Sequence, residues 1–266
     1  MIRTLSVGLA ALTAFAAAPA LAQDEPNEER MIISFGAGVQ FTPEFPGADK
    51  LQLGPLFTGG ARREGEPIPG RAPDDGFGFS LIGRGGRVEF GPMIAFQGER
   101  DEDDVGVPIG DVDFAFEPGI FVNINASDRL RLRAEARRGF DGHEGWQGDL
   151  GMDYFIRPDE SSVISIGPRL RLADAEYMQT YFGVTPAQAV ATGLPAFEAD
   201  GGVRAIGIVA GLNRDLSRNF GIYAYAQYDR LIGDAANSPI VRQFGSENQF
   251  AAGIALYFNF RVRNPF

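Results

Sequence analysis

The chain has 266 residues, with 35 acidic against 24 basic side chains, a formal charge of −11 and no cysteine. So acidic a balance excludes nucleic acid as a partner, because phosphate binding needs clustered cations. The lack of cysteine excludes disulfides and thiolate metal sites.

At the N-terminus, Arg3 precedes an apolar run from Leu5 to Ala18, and Pro19-Ala20-Leu21-Ala22 offers a small-residue cleavage site before Gln23. This pattern reads as a secretory signal peptide over residues 1–22. Its removal takes away one positive charge, so the mature chain carries −12 (−11 minus 1). Residues 23–30, QDEPNEER, form a polar periplasmic leader without periodicity. No later apolar run reaches the length of a spanning helix. Thirty-five glycines and 22 phenylalanines suit short, evenly spaced strands better than helices.

From Met31 onward, strand-like segments follow at 31–42, 50–60, 75–83, 87–98, 111–125, 129–139, 147–157, 161–172, 201–213, 219–231 and 248–261. Several show a strict period of two. In RLRLRAEAR, residues 129–137, arginines and Glu135 alternate with leucine and alanine. In 111–125 the apolar face is Val112, Phe114, Phe116, Pro118, Ile120, Val122 and Ile124, opposite Asp111, Asp113 and Glu117. Strands of about ten residues with one greasy and one ionic face match an outer-membrane β-barrel. A soluble sandwich would have shorter strands and would turn its charges outward.

The connections alternate in length. Tight turns at 83–86, 125–128, 157–160 and 213–218 separate longer polar loops at 99–110, 140–146, 173–200 and 232–247, as in bacterial outer-membrane barrels. Both termini in the periplasm require an even number of strands. Eleven are visible, so a twelfth is expected within 61–73, ARREGEPIPGRAP, where three prolines would obscure it. Ten strands is the alternative. The fold expected is therefore all-β, an antiparallel transmembrane barrel formed by a single domain over residues 31–266.

Facing the lumen, Asp113, Glu117, Arg131, Arg133, Glu135, Arg169 and Arg171 would form a charge network. Opposite charges on neighbouring strands favour each other and share their desolvation. Such a network can brace a narrow lumen, or its charge rings can select ions in a pore. In the loop 173–200, Thr185-Pro186 followed by AQAVAT and Gly193 provides an N-cap, a proline at the first helical position and a glycine stop. A helix of about two turns is expected over Pro186–Thr192, either folded into the barrel mouth or capping its rim. Asp234 with Asn237-Ser238-Pro239 reads as a turn. The acidic run Glu99 to Asp104 is a hydrated loop that could hold divalent cations at a lipopolysaccharide surface. The single histidine, His143, lies between Asp141 and Glu144 and reads as a solvated loop residue. With no G-x-S-x-G elbow in the chain, no catalytic, metal or cofactor residue is assigned.

The C-terminal third resembles the MipA/OmpV family of outer-membrane proteins. The resembling pieces are Tyr181-Phe182-Gly183-Val184 with Ala187 to Gly193, then Arg230-Leu231-Ile232-Gly233-Asp234-Ala235, and Ser238-Pro239-Ile240. GAGVQFTPEFPGAD at 36–49 and DGHEGWQGDLGMDY at 141–154 resemble the family's opening strand and mid-chain segment, although Glu144 separates His143 from Gly145. The resemblance implies an outer-membrane barrel without enzymatic activity or cofactor. It would be embedded in lipid and lipopolysaccharide and inserted by the barrel-assembly machinery. It further implies a scaffold that joins a lytic transglycosylase to a peptidoglycan synthase, with an adhesion-related or osmotic-response surface protein as an alternative; the charged lumen itself leaves a narrow porin-like channel for small solutes as another. Phe266 or Phe260 would serve as the C-terminal assembly signal.

Overall fold

The computed structural model describes residues 30–263. The expected signal peptide, nearly all of the leader and Phe266 lie outside the described residues. In chain order the elements are β1 (Arg30–Pro43), β2 (Leu51–Arg63), β3 (Phe77–Gly78), β4 (Val88–Gln97), α1 (Glu102–Val105), β5 (Ala115–Ser127), β6 (Leu130–Arg138), β7 (Phe140–Asp141), β8 (Trp146–Ile156), β9 (Ser162–Ala173), α2 (Ala175–Phe182), α3 (Pro186–Thr192), β10 (Gly202–Asp215), β11 (Phe220–Leu231), α4 (Gly233–Asn237), α5 (Pro239–Phe244) and β12 (Asn248–Arg263).

The twelve strands form one antiparallel sheet in the order β2-β1-β12-β11-β10-β9-β8-β6-β5-β4-β3, with β7 continuing the β6 side of β5. The sheet is curled, and β1 pairs with β12 over Arg30↔Arg263 to Phe41↔Ala252, joining the two ends of the chain. The period-two pattern sorts the faces as the sequence requires. Leu132 is 41% exposed on the outside, while its neighbours Arg131 and Arg133 are 4% and 9% exposed inside. Phe35, Phe57, Phe96, Phe116, Ile120, Leu150, Ile206, Leu256 and Phe260 likewise stand on the exposed outer face. An apolar exterior over strands of 9 to 16 residues is the surface that hydrocarbon solvates.

Short turns gather at one end of the barrel, and hydroxyls and carboxylates close them. Ser127 Oγ accepts from the amides of Arg129 (3.3 Å) and Leu130 (3.1 Å). Ser217 Oγ does the same for Asn219 (3.3 Å) and Phe220 (3.1 Å). Asp159 Oδ1 accepts from the Ser161 amide at 2.9 Å. In the fourth turn a Cβ on Gly83, at φ +73°, would stand 1.8 Å from the Val88 carbonyl oxygen, so only glycine fits.

Two expectations about the N-terminal quarter need correction. Residues 61–63 complete β2, and no strand follows within 64–73; the twelfth strand is the short β7 instead. Pro67, Pro69 and Pro73 lack amide donors and cannot join a ladder. The segment 64–76 enters the lumen, where Ile68 packs with Phe155 and Val163. The expected strand 75–83 shrinks to β3, followed by irregular bonds from the Phe79 amide to the Pro92 carbonyl (3.4 Å) and from Leu81 to the Phe90 carbonyl (2.9 Å). β2 and β3 are the two ends of the sheet, and no strand among the described residues pairs with the outer edge of β2.

At the opposite end the long loops pack into a lid with its own core. One cluster joins Tyr177, Met178, Tyr181 and Phe182 of α2 to Leu231, Ala235 and Val241. A second joins Phe45, Ala48, Val105, Ile109, Val184, Leu194 and Ile240. α3 has the boundaries expected from its sequence, with a capping box in which Thr185 Oγ1 accepts from the Gln188 amide and Gln188 Oε1 accepts from the Thr185 amide. None of its residues is buried, so it caps the rim, and α2 is the helix that points inward.

Candidate functional site: the ionic lumen

The inner faces of β5, β6, β8 and β9 converge on one network, and 64–76 completes it from within. Arg131 donates Nη1 to Asp75 Oδ2 (2.7 Å) and Nη2 to Asp75 Oδ1 (2.9 Å), while its Nε reaches Asp153 Oδ2 at 3.0 Å. Arg133 pairs with Asp75 at 3.3 Å, contacts Glu135 and donates to Asn123 Oδ1 at 2.9 Å. Arg137 bridges Glu117 (3.1 Å), Glu135 (3.0 Å) and Asp149 (2.7 Å).

From β9, Arg169 chelates Asp74 with two 2.8 Å bonds and reaches Asp153 Oδ1 at 2.7 Å. Arg171 spans Asp229 (2.9 Å), Asp74 (3.1 Å) and Asp149 (3.3 Å). Bidentate arginine–carboxylate geometry is the strongest form of this contact. Nearby, Arg71 and Arg204 act on Asp75 and Asp149 through space. Five arginines, Arg131, Arg133, Arg137, Arg169 and Arg171, thus hold seven carboxylates, Asp74, Asp75, Glu117, Glu135, Asp149, Asp153 and Asp229, each with at least one arginine partner. Between Asp74, Asp75, Arg133, Glu135, Asp149, Asp153 and Arg169 only about 10 Å³ of space is left, roughly the room of one water.

Of the seven lumen residues expected from the sequence, six sit in this network. Asp113 does not: β5 begins at Ala115, and Asp113 is exposed in the preceding loop. The alternation at Asp149-Leu150-Gly151-Met152-Asp153 carries the signal that would have added β8. Nothing periodic marks Asp74 and Asp75, which arrive on a proline-rich segment. His143 also departs from expectation. It is 3% exposed, its Nε2 lies 2.9 Å from Glu117 Oε1, and its ring meets that of Tyr177 edge-on at 5.0 Å. Gln147 Nε2 donates to the same carboxylate oxygen at 2.6 Å. The loop turns inward because Asp141 adopts φ +76° and Gly142 closes against the Asp113 carbonyl.

The remaining sequence-derived residues build the lid. Tyr181 and Phe182 are fully buried in it. Gly183 ends α2, where a Cβ would strike the Gln179 side chain. Gly193 ends α3 at φ +76°, and Gly233 starts α4 at φ +58°. Asp234 Oδ2 accepts from the Asp200 amide at 2.9 Å. Ser238 Oγ donates to the Phe182 carbonyl at 2.7 Å, with Pro239 opening α5 behind it. Arg230 forms an exposed pair with Glu247 at 2.5 Å. Burial keeps the Tyr177 and Tyr181 hydroxyls protonated well above the usual tyrosine range.

A lipid-facing exterior, an ion-paired lumen and a packed lid on the long-loop side define an outer-membrane β-barrel protein. A family model described as "MltA-interacting protein MipA" matches residues 35–260. The chain belongs to the MipA family. No curated protein matches the chain significantly. Solved structures similar to it include the NanC porin, at 8% identity and a TM-score of 0.38, covering 87% of this chain and all of that one. An outer-membrane channel from Pseudomonas putida F1 is similar at 8% identity and a TM-score of 0.36, covering 92% of this chain and all of that one. The N-terminal barrel domain of Pseudomonas aeruginosa OprF is similar at 18% identity and a TM-score of 0.26, covering 65% of this chain and 96% of that domain.

Proposed function

We propose that this protein is a non-enzymatic platform in the outer membrane of a Gram-negative bacterium, exported with a cleaved signal peptide over residues 1–22. On this reading the long-loop lid faces outward and the short turns face the periplasm. Those turns would receive murein enzymes: a lytic transglycosylase, as the family description suggests, and with it a peptidoglycan synthase. The observation that carries the reading is the ion-paired lumen beneath a packed lid, which favours a rigid support over an open ion-selective pore. With every carboxylate of the network already held by an arginine, there is little basis for a selectivity ring.

The test is photo-crosslinking in intact envelopes from positions in the turns 157–161 and 216–219. Capture of a lytic transglycosylase supports the platform. Recovery of no murein enzyme from either turn, with the barrel correctly inserted, overturns it.

A further inference from the structure

The outer edge of β2 raises a physical difficulty. An open sheet edge is not tolerated in hydrocarbon, because its amides and carbonyls have no water to bond. Yet Leu53 and Phe57 on β2, and Phe77, Phe79 and Leu81 beyond the gap, stand exposed on the apolar outer face. Where a ladder would be expected, a side chain crosses instead. Arg71 donates Nη1 to the Gly59 carbonyl (3.4 Å) and Nη2 to the Gly76 carbonyl (3.2 Å). Pro55 lies within β2 and lacks an amide donor, which suits an edge strand.

Two cavities straddle this seam. The lower one, of about 440 Å³, is lined by Leu56, Leu212, Tyr223 and Tyr257 and, at the seam, by the outer-face rings of Phe57 and Phe96. The upper one, of about 780 Å³, is bounded by the exposed rings of Phe57, Phe96, Phe114 and Phe250 together with Gln97, Gln227, Tyr225, Arg171, Arg204 and Asp229. Gln40, Pro55, Phe57 and Phe96 line both, so the two run together along the seam. Each is of the size that small-molecule sites take, about 300–1,000 Å³. The lower cavity also shares Pro69, Arg71, Asp75 and Gly76 with a vestibule of about 500 Å³ on the short-turn side.

We infer that the gap between β2 and β3–β4 is a lateral portal through which an uncharged amphiphile passes from the lipid into the lumen. Its apolar body would lie against Phe57 and Phe96, and a hydroxyl or carbonyl head would meet the glutamine and tyrosine amides and hydroxyls. Charge selects the head. Of the charged groups that line the two cavities, Arg62, Asp75, Arg171 and Asp229 are held in ion pairs and Arg71 by the Gly59 and Gly76 carbonyls, so an ionic head would have to break one of these contacts or lose its hydration without a counter-charge. An uncharged polar head loses less, and it supplies hydrogen bonds that the open edge of β2 lacks. A molecule already in the membrane meets the barrel at its side wall, where this seam lies. This inference concerns the side wall and does not rest on the platform reading.

The test uses the full barrel in phospholipid nanodiscs with three probes sharing one tail: 12-bromododecan-1-ol, 12-bromododecanoate and (12-bromododecyl)trimethylammonium. Bromine quenches nearby tryptophan. The sole tryptophan, Trp146, lies on the outer face and reports partition into the bilayer for every probe. A Trp146→Phe/Tyr223→Trp variant reports entry into the lower cavity, and Trp146→Phe/Tyr225→Trp reports the upper one should the first fail to fold. A Cβ at Gly54 or Gly60 meets nothing within 4 Å, so Gly54→Phe with Gly60→Phe fills the seam while leaving the backbone in place.

The expected result is saturable quenching of the interior reporter by the alcohol beyond the partition control. It should be weaker for both charged probes and lost when the seam is filled. Equal quenching by all three probes, quenching that survives the filled seam, or none above the partition control would overturn the portal. So would two copies joined through β2, seen as a Leu53→Cys disulfide dimer that forms to completion in the membrane.

Discussion

Asp75 grips Arg131 with both carboxylate oxygens, at 2.7 and 2.9 Å, across 56 residues of chain. The aspartate comes from the segment inside the barrel and the arginine from its wall. This pair therefore couples the position of 64–76 to the stability of β6.

Replacing Asp75 with alanine leaves Arg131 and Arg133 short of a buried counter-charge. Breaking one side of a buried pair typically costs about 3–5 kcal/mol. The expected outcome is a lower midpoint in urea unfolding from lipid vesicles, with secondary structure retained at low denaturant. An unchanged midpoint would mean that 64–76 is only loosely seated.

Alkali should open the lid. Burial, the main cause, holds the Tyr177 and Tyr181 hydroxyls protonated far above their ordinary range, with electrostatic neighbours making smaller adjustments. The unfolded hydroxyl ionises near pH 10, while the folded one does not. The folded state therefore binds more protons, and the stability it draws from these groups is present below about pH 10 and declines as pH rises further. The difference between the ultraviolet titrations of the parent and of a Tyr177→Phe/Tyr181→Phe variant should show these two tyrosines ionising late, together with loss of the lid. A difference that titrates at the ordinary tyrosine pH would mean that the two hydroxyls are not held in the lid.

The Ser238 hydroxyl is the polar link between α5 and the end of α2. Ser238→Ala leaves the buried Phe182 carbonyl without its 2.7 Å donor, at a cost of about 1–3 kcal/mol. Limited proteolysis should then cut within 174–201 and 232–247 sooner than in the parent, while the strands stay protected. Equal cutting rates would place the lid's stability in its apolar clusters alone.

Spin labels test the two faces directly. A label at Leu132 or Phe116, both 41% exposed on the outer face, should relax with membrane-dissolved oxygen and ignore a water-soluble nickel chelate. The reverse pattern at either site would contradict the barrel's orientation in lipid.

The strands and the α3 helix were legible because their signals are local. A period of two over residues 129–137 fixes which side chains share a face, and Thr185, Pro186 and Gly193 mark a helix start and stop within nine residues. The lumen ladder followed from the same alternation, with Asp113 misplaced because β5 starts at Ala115, four residues later than the expected segment 111–125.

What only the tertiary structure decided is which distant groups meet. Asp74 lies 95 residues from Arg169 and 97 from Arg171, and no periodicity announces a partner at that separation. The prolines of 64–76 said that the segment could not be a ladder strand, but not that it would enter the lumen. Its burial follows from the arginines already there, whose charge must be matched once water is excluded. His143 was drawn inside for a related reason, since Glu117 and the α2 tyrosines offer it a hydrogen bond and an apolar face together. The unpaired edge of β2 is likewise a property of the assembled sheet, which leaves β2 and β3 as its two ends.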